Sequence, residues 1–241
     1  MTGAHSAENA PWTAEGQEKR NAVQSLFSQI APKYDRLNSV MSLSLHHRWR
    51  AFAVSCLALR QGDKALDVCS GTGDFLKPLR TAVGTSGAVF GVDFCLPMLQ
   101  VASMKQTEPL VEGDAMRLPV RSNLFDAVTV GWGIRNVPDI DRAHQEIARV
   151  LKPGGRFASL DMAKPHNSVM RWVSGTVFKT LVPLLGTLTG NRKAYTYLPK
   201  STEKFWSRED LKSSMEKAGF EQVQFKDMFF GNICVHWGRK S

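Results

Sequence analysis

Ala65-Leu-Asp-Val-Cys-Ser-Gly-Thr-Gly-Asp74 decides how the chain is read. Ala65 to Cys69 is a short apolar run carrying one acid, the pattern of a buried strand, and Ser70 to Gly73 is a tight turn into a helix that starts near Phe75. Gly71 and Gly73 have no side chains to hold a ligand off the backbone, and Asp67 and Asp74 bring carboxylates to the same place. A dinucleotide fold places G-x-G-x-x-G here so that helix N–H groups meet a pyrophosphate. This loop has G-x-G followed by an acid, which suits a cationic or amine-bearing ligand better than an anion. S-adenosylmethionine, with its sulfonium and ammonium, is such a ligand; an ordinary strand-to-helix turn shows the same letters.

Downstream the chain alternates strand and helix, the pattern of a parallel sheet with helices on both faces. Ala88-Val-Phe-Gly-Val-Asp93 is a second strand ending in an acid, about 20 residues past the glycine turn, where a ribose-binding carboxylate is expected. Met98 to Met104 reads as a helix and Leu110-Val-Glu112 as a third strand, followed by Gly113-Asp114-Ala115. Strand ends gather ligands at the switch point of such a sheet, so Asp114 is either a contact for an adenine amino group or a plain turn aspartate. Phe125 to Val130 is a fourth strand running into Gly131-Trp-Gly-Ile-Arg-Asn-Val-Pro138, where two glycines allow close backbone approach and Arg135 and Asn136 supply donors. Asp141 to Val150 reads as a helix, Lys152-Pro-Gly-Gly155 as a turn, and Arg156 to Asp161 as a fifth strand.

The flanking segments are less regular. Val23, Leu26, Phe27 and Ile30 form one amphipathic helix, broken by Pro32, and Trp49, Phe52, Ala53 and Cys56 form a second. The stretch between them mixes polar and aromatic groups, Tyr34, Asp35 and Asn38 among them, either as turn formers or as the lining of a pocket under a helical cover. Residues 164–200 interrupt the alternation with an apolar, basic insertion ending in Tyr195-Thr-Tyr-Leu-Pro199, a lid or a packed helical segment. Ser207-Arg-Glu-Asp210 is a capping-box start to a last helix, and Gln222–Phe225 and Ile233–Trp237 alternate as an edge hairpin. The organisation expected is a disordered tail over 1–18 and one domain over 19–241, made of N-terminal helices (19–60), a cofactor-binding core (61–163), the insertion (164–200) and the C-terminal helix and hairpin (201–241).

Composition narrows the class. A formal net charge of +9 comes from scattered basic residues with no basic arm or aromatic-basic stripe, which argues against a nucleic-acid partner. Cys56, Cys69, Cys95 and Cys234 form no C-x-x-C pair, so they are expected to be buried free thiols of a reducing, cytoplasmic setting, without a metal. The most apolar stretch, Met170 to Leu188, is broken by Arg171, Lys179, Pro183 and two glycines, which spoils a membrane span of about 20 apolar residues.

Several blocks together resemble one family. Ala31-Pro-Lys-Tyr-Asp-Arg-Leu-Asn38, His47-Arg-Trp-Arg50, Ser70-Gly-Thr-Gly-Asp74, Gly133-Ile-Arg-Asn-Val137, Arg149-Val-Leu-Lys-Pro-Gly-Gly-Arg156 and Tyr195-Thr-Tyr-Leu198 look like the signature segments of the ubiquinone/menaquinone biosynthesis C-methyltransferases, from about residue 20 to the C-terminus. Two residues depart from the family pattern: Ser70 stands where alanine or glycine is usual, and Gly131 where serine is common. The resemblance implies an α/β class I methyltransferase, Rossmann-like, with a mostly parallel seven-stranded sheet, an N-terminal helical cover and a helical insertion before the C-terminal hairpin. It implies S-adenosyl-L-methionine as cofactor, held by Asp67, Gly71, Thr72, Gly73, Asp74, Asp93, Phe94, Asp114, Ala115 and Gly131. It also implies methyl transfer to a ring carbon of a polyprenylated quinol, demethylmenaquinol or the equivalent ubiquinone precursor.

For that chemistry Arg135 with Asn136 is the first choice to stabilise a phenolate, and Tyr34 with Asp35 the second. His46 or His47 would serve as a base, or simply pack. The tail of the substrate makes the basic surplus intelligible as attraction to an anionic membrane at its inner face. A homodimer is an open alternative to a monomer. Two competing functions are a methyltransferase of soluble phenolic molecules and a non-catalytic scaffold on a cofactor fold.

Overall fold

The structure is a computed structural model that describes residue 14 and residues 16–176, 200–203 and 205–241. Helices α1 (Gly16–Ile30), α2 (Tyr34–Met41) and α3 (His46–Ser55) precede the alternating core. The core runs β1 (Lys64–Val68), α4 (Leu76–Val83), β2 (Ala88–Asp93), α5 (Leu96–Ser103), β3 (Leu110–Glu112), β4 (Phe125–Gly131), α6 (Ile140–Val150) and β5 (Leu151–Met162). After a helical stretch at 168–176 come α7 (Arg208–Lys217), β6 (Phe220–Met228) and β7 (Ile233–Lys240).

The seven strands form one sheet in the order β3-β2-β1-β4-β5-β7-β6. The first five are parallel, and the strand order reverses between β1 and β4, leaving a crevice at their C-terminal ends. β7 pairs antiparallel with both β5 and the edge strand β6. Both faces of the sheet are covered, because alternate residues of each strand serve different cores. Leu66, Val68, Val128 and Val130 face a core with Ile147, Leu211 and Met215, while Ala65, Val89 and Ala127 face one with Trp49, Ala53, Leu76 and Leu79.

Several boundaries differ from the sequence reading. The helix α1 begins at Gly16, inside the segment read as tail, whereas residues 1–13 of that tail lie outside the described residues. The polar stretch between the two expected helices is itself largely helical, a 3₁₀ turn at Ala31–Lys33 leading into α2. Lys152-Pro-Gly-Gly155 is not a turn ahead of β5. Leu151 already pairs with Phe125, the register slips, and Arg156 then pairs with Ala127, so the four residues are a bulge within a longer strand. Cys95 and Cys234 are buried as expected, but Cys56 and Cys69 are only partly so. Ser207 does form a capping box with Asp210 at the start of α7. Much of the 164–200 insertion, including Tyr195 to Leu198, lies outside the described residues. No helix among the described residues is long and apolar enough to cross a membrane, and they contain no cluster of metal-ligating side chains.

Candidate functional site

Two cavities lie side by side at the C-terminal ends of the parallel strands. One, of about 680 Å³, is lined by Gly71, Asp93, Phe94, Asp114, Ala115, Gly131 and Asn136, with Met98 and Val137 around them. The other, of about 920 Å³, is lined by Leu26, Ile30, Leu37, Met41, Trp49, Met162 and Ile233, with Asn38, His46, Arg135 and Asn232 as its polar points. Phe27, Tyr34 and Trp132 line both.

The polar cavity is shaped by the glycine turn and the strand ends. Gly71 and Gly73 sit at φ of +53° and +82°, a left-handed backbone that glycine adopts without steric cost. The turn brings the Gly71 N–H to Asp93 Oδ2 at 2.8 Å, and Cys95 N–H donates to Oδ1 at 2.8 Å. Burial still pushes Asp93 up to about 6, against the pull of these N–H groups. Each oxygen keeps lone pairs free to accept from hydroxyls. Asp114 is braced by Met116 N–H at 2.8 Å and faced by Arg20 at 3.4 Å. At Gly131 a Cβ would lie 2.5 Å from the Phe75 ring, so that ring occupies the space a serine would need.

The remaining residues singled out in the sequence sit around this cavity without lining it. Asp67 is fully buried behind the turn, accepts from Thr129 Oγ1 at 2.7 Å, and is pushed by burial up to about 8. Thr72 is also buried and donates to Asp35 Oδ1 at 2.5 Å. Asp35 is held as well by Lys105 at 2.6 Å, so its carboxylate belongs to the outer side of the turn while neighbouring Tyr34 faces both cavities. Gly73 and Asp74 face a separate, open groove. There Asp74 pairs with Arg50 at 2.9 Å, and Lys105 stands 3.6 Å away.

Arg135 and Asn136 fall in the 3₁₀ turn after β4, and both side chains donate to the carbonyl of Trp132, at 3.0 and 3.1 Å. Arg135 also makes a buried ion pair with Asp161, whose carboxyl is raised by burial and lowered again by that arginine. The guanidinium is therefore fixed at the wall of the apolar cavity. Burial raises the Tyr34 phenol, with the Asn38 amide and Arg135 opposing the rise.

Sequence reasoning missed several residues that build this junction. Arg50, buried, links Asp74 to His46 and lies 4.6 Å from the centre of the Trp132 ring. Burial, with Arg50 beside it, lowers His46 to about 4, so this cavity-lining imidazole is neutral at pH 7. The signal available was an arginine on the apolar face of α3; for Asp161 it was an acid closing the apolar run read as the fifth strand, as at Asp93. Trp132, at φ +52° between its two glycines, carried no such signal.

Over the polar cavity, α1 is fastened by polar contacts. Lys19 Nζ donates to the carbonyls of Arg135 and Val137 at 3.3 and 3.0 Å, and Gln24 Nε2 to that of Phe94 at 3.0 Å.

A sheet of this order, with a glycine turn after β1 and a fixed acid at the end of β2, is the architecture of class I S-adenosylmethionine-dependent methyltransferases. The cavity fits that cofactor: glycines keep the strand ends open, a braced carboxylate suits ribose hydroxyls, and the basic side chain in the lining, Arg20, faces Asp114. The model of the ubiE/COQ5 methyltransferase family matches residues 14–240, and the chain belongs to that family. It is 41% identical over 233 residues to the demethylmenaquinone methyltransferase of Staphylococcus aureus, covering 94% of this chain and 96% of that protein. Among solved structures it resembles an S-adenosylmethionine-dependent methyltransferase from Thermotoga maritima, with a TM-score of 0.66, 22% identity, and coverage of 90% of this chain and 99% of that one. A second, from Aquifex aeolicus, gives 0.60 at 17% identity, over 80% and 89%. Those likenesses show the fold. The protein is thus an S-adenosylmethionine-dependent methyltransferase.

Proposed function

We propose that the protein transfers the cofactor's methyl group to a ring carbon of a polyprenylated quinol, demethylmenaquinol or the equivalent ubiquinone precursor. The observation that carries this is the shared wall: a polar cavity suited to the cofactor and an apolar cavity suited to a ring with a hydrocarbon tail meet at Phe27, Tyr34 and Trp132. The name of the Staphylococcus aureus relative supports the quinol as the substrate class.

Gly71, Asp93, Phe94, Asp114, Ala115 and Gly131 contact the cofactor directly, with Asp93 on the ribose hydroxyls. Asp67, Thr72, Gly73 and Asp74 shape the turn from behind and outside, Asp74 through Arg50. When bound, the cofactor supplies a methyl group already activated by its sulfonium, so this chain must mainly aim the acceptor carbon at it. Phe27, Tyr34 and Trp132 confine the ring at the boundary. A ring carbon becomes nucleophilic as its hydroxyl loses a proton, and Arg135, held by Asp161, stabilises the phenolate. The proton passes to solvent, since His46, lowered by burial and by Arg50, is too weak a base to hold it; His46, Tyr34 and Asn136 orient the ring oxygens. Asp35, turned toward Thr72 and Lys105, positions the cover rather than the ring.

The chain acts as a single methyltransferase domain, in the cytoplasm against the inner face of a membrane. The test is a methylation assay with labelled cofactor, comparing reduced demethylmenaquinol with a demethylated benzoquinol precursor. Transfer to at least one ring carbon is expected; labelling of neither overturns the proposal.

A further inference from the structure

The apolar cavity is bordered by two turns with the same uncommon backbone. On one side Met41 and Ser42 line the cavity, and the chain then passes through Leu43 and Ser44 at φ of 50° and 60°. On the other, Phe229 and Asn232 line it, and Phe229 and Phe230 sit at φ of 47° and 56°. Left-handed backbone is costly for residues with a Cβ, and it persists where the surroundings or a function require it. Here it holds two large apolar side chains out of the protein. Leu43 is 76% exposed and Phe230 is 75% exposed, while the neighbouring Phe229 ring turns inward onto Trp49 at 5.7 Å.

A charge pattern accompanies the first turn. Lys33, Arg36 and Val40, at i, i+3 and i+7, follow one exposed face along the 3₁₀ turn and α2, leading into Leu43. Neither cation meets a carboxylate among the described residues. Cations followed by an apolar tip, on a short exposed helix, is the arrangement of interfacial membrane anchors. A chain with a net charge of +9 is ill matched to a second copy of itself across such a face and well matched to an anionic surface.

The geometry points to Leu43 and Phe230 as twin tips that enter an anionic lipid surface, with Lys33 and Arg36 on the headgroups, seating the mouth of the apolar cavity against the bilayer. This rests on the proposed quinol substrate: a ring anchored by an isoprenoid tail then enters the cavity without its tail crossing water. The tips lie outside both cavity linings, so they set access and not chemistry.

The test uses the full-length protein with vesicles of phosphatidylcholine alone and of equal parts phosphatidylcholine and phosphatidylglycerol. The double variant Leu43→Ser/Phe230→Ser is expected to bind the mixed vesicles at least about tenfold more weakly. Lys33→Gln and Arg36→Gln are each expected to weaken binding about fivefold at low salt, an effect that added salt erases. All variants should methylate a short-tailed quinol in solution at the wild-type rate, which also shows that they fold, while turnover of a long-tailed quinol in vesicles falls with binding. Unchanged vesicle binding by the double variant overturns the inference. So does loss of a dimer in light scattering with vesicle binding intact, which would make this face a contact between copies. If the wild type docks through these residues yet methylates no quinol, the surface stands and the substrate reading fails; if it methylates the quinol and ignores vesicles, the reverse holds.

Discussion

The two cavities share three residues and differ in nearly everything else. The polar one is built from strand ends: backbone N–H groups, glycines, Asp93 closing β2, and Asp114 just beyond β3. The apolar one is built from α1, α2 and α3 laid across the sheet, with Arg135 and His46 as its few charged or titratable points. The first holds a reagent that is the same for every enzyme of the class, so the sheet itself can supply it. The second, which in the proposed reading selects an acceptor, is assembled largely from segments added to that sheet.

Substitutions on either side of the shared wall should therefore separate cofactor binding from methyl transfer. The largest effect is expected at Arg135. Arg135→Ala should lower kcat by about a thousandfold, near 4 kcal/mol, with cofactor affinity measured by calorimetry unchanged. Because Asp161 would be left buried and unpaired, Arg135→Met with Asp161→Leu is the control for stability. Near-normal turnover in Arg135→Ala would remove the phenolate role. On the cofactor side, Asp93→Ala should weaken cofactor binding about 10- to 100-fold while leaving the quinol KM at saturating cofactor in place. A change confined to the quinol KM would erase the division between the cavities.

Asp67 sharpens the comparison through stability. With its carboxyl pushed up to about 8, the folded protein keeps a proton that the unfolded chain loses above its ordinary value of 3.8. Below that value the contribution is complete, and it is lost as pH rises toward 8. Asp67→Asn lacks this dependence, so its stability relative to wild type should rise by about 2 kcal/mol between pH 5 and pH 7. Urea unfolding at the two pH values measures it, and parallel curves would show an ionised Asp67. The smallest effect is expected at Asn38, whose amide reaches the Tyr34 phenol at the wall of the apolar cavity. Asn38→Leu should raise the quinol KM about tenfold and leave cofactor affinity alone; an equal loss for an analogue lacking one ring oxygen would show that only packing had changed.

The same division explains what the sequence disclosed. Asp93 closes its strand, and the glycine turn joins β1 to α4 locally, so period and turn chemistry are enough to read them. The individual strands and the edge hairpin are legible for the same reason, whereas the single sheet of seven comes from the family resemblance. Arg50 with Asp74 and Arg135 with Asp161 are pairs formed only when distant segments pack, and no local pattern announces them. Tyr34 and Asp35 are adjacent in sequence, yet the helical turn sends one side chain to both cavities and the other to Thr72 and Lys105. The bulge at Lys152 to Gly155 was read as a turn because proline and glycines mark both alike.

The fastening of α1 bears on how fast the enzyme can cycle. Lys19 grips two backbone carbonyls and Gln24 a third, through hydrogen bonds that water could replace if the helix lifted. Because α1 also supplies Leu26, Phe27 and Ile30 to the apolar cavity, one displacement vents both chambers together. Departure of methylated quinol and spent cofactor then shares a single gate. Helix displacements of this kind run on microsecond to millisecond scales, and turnover limited by such a gate would follow solvent viscosity rather than the electronics of the ring.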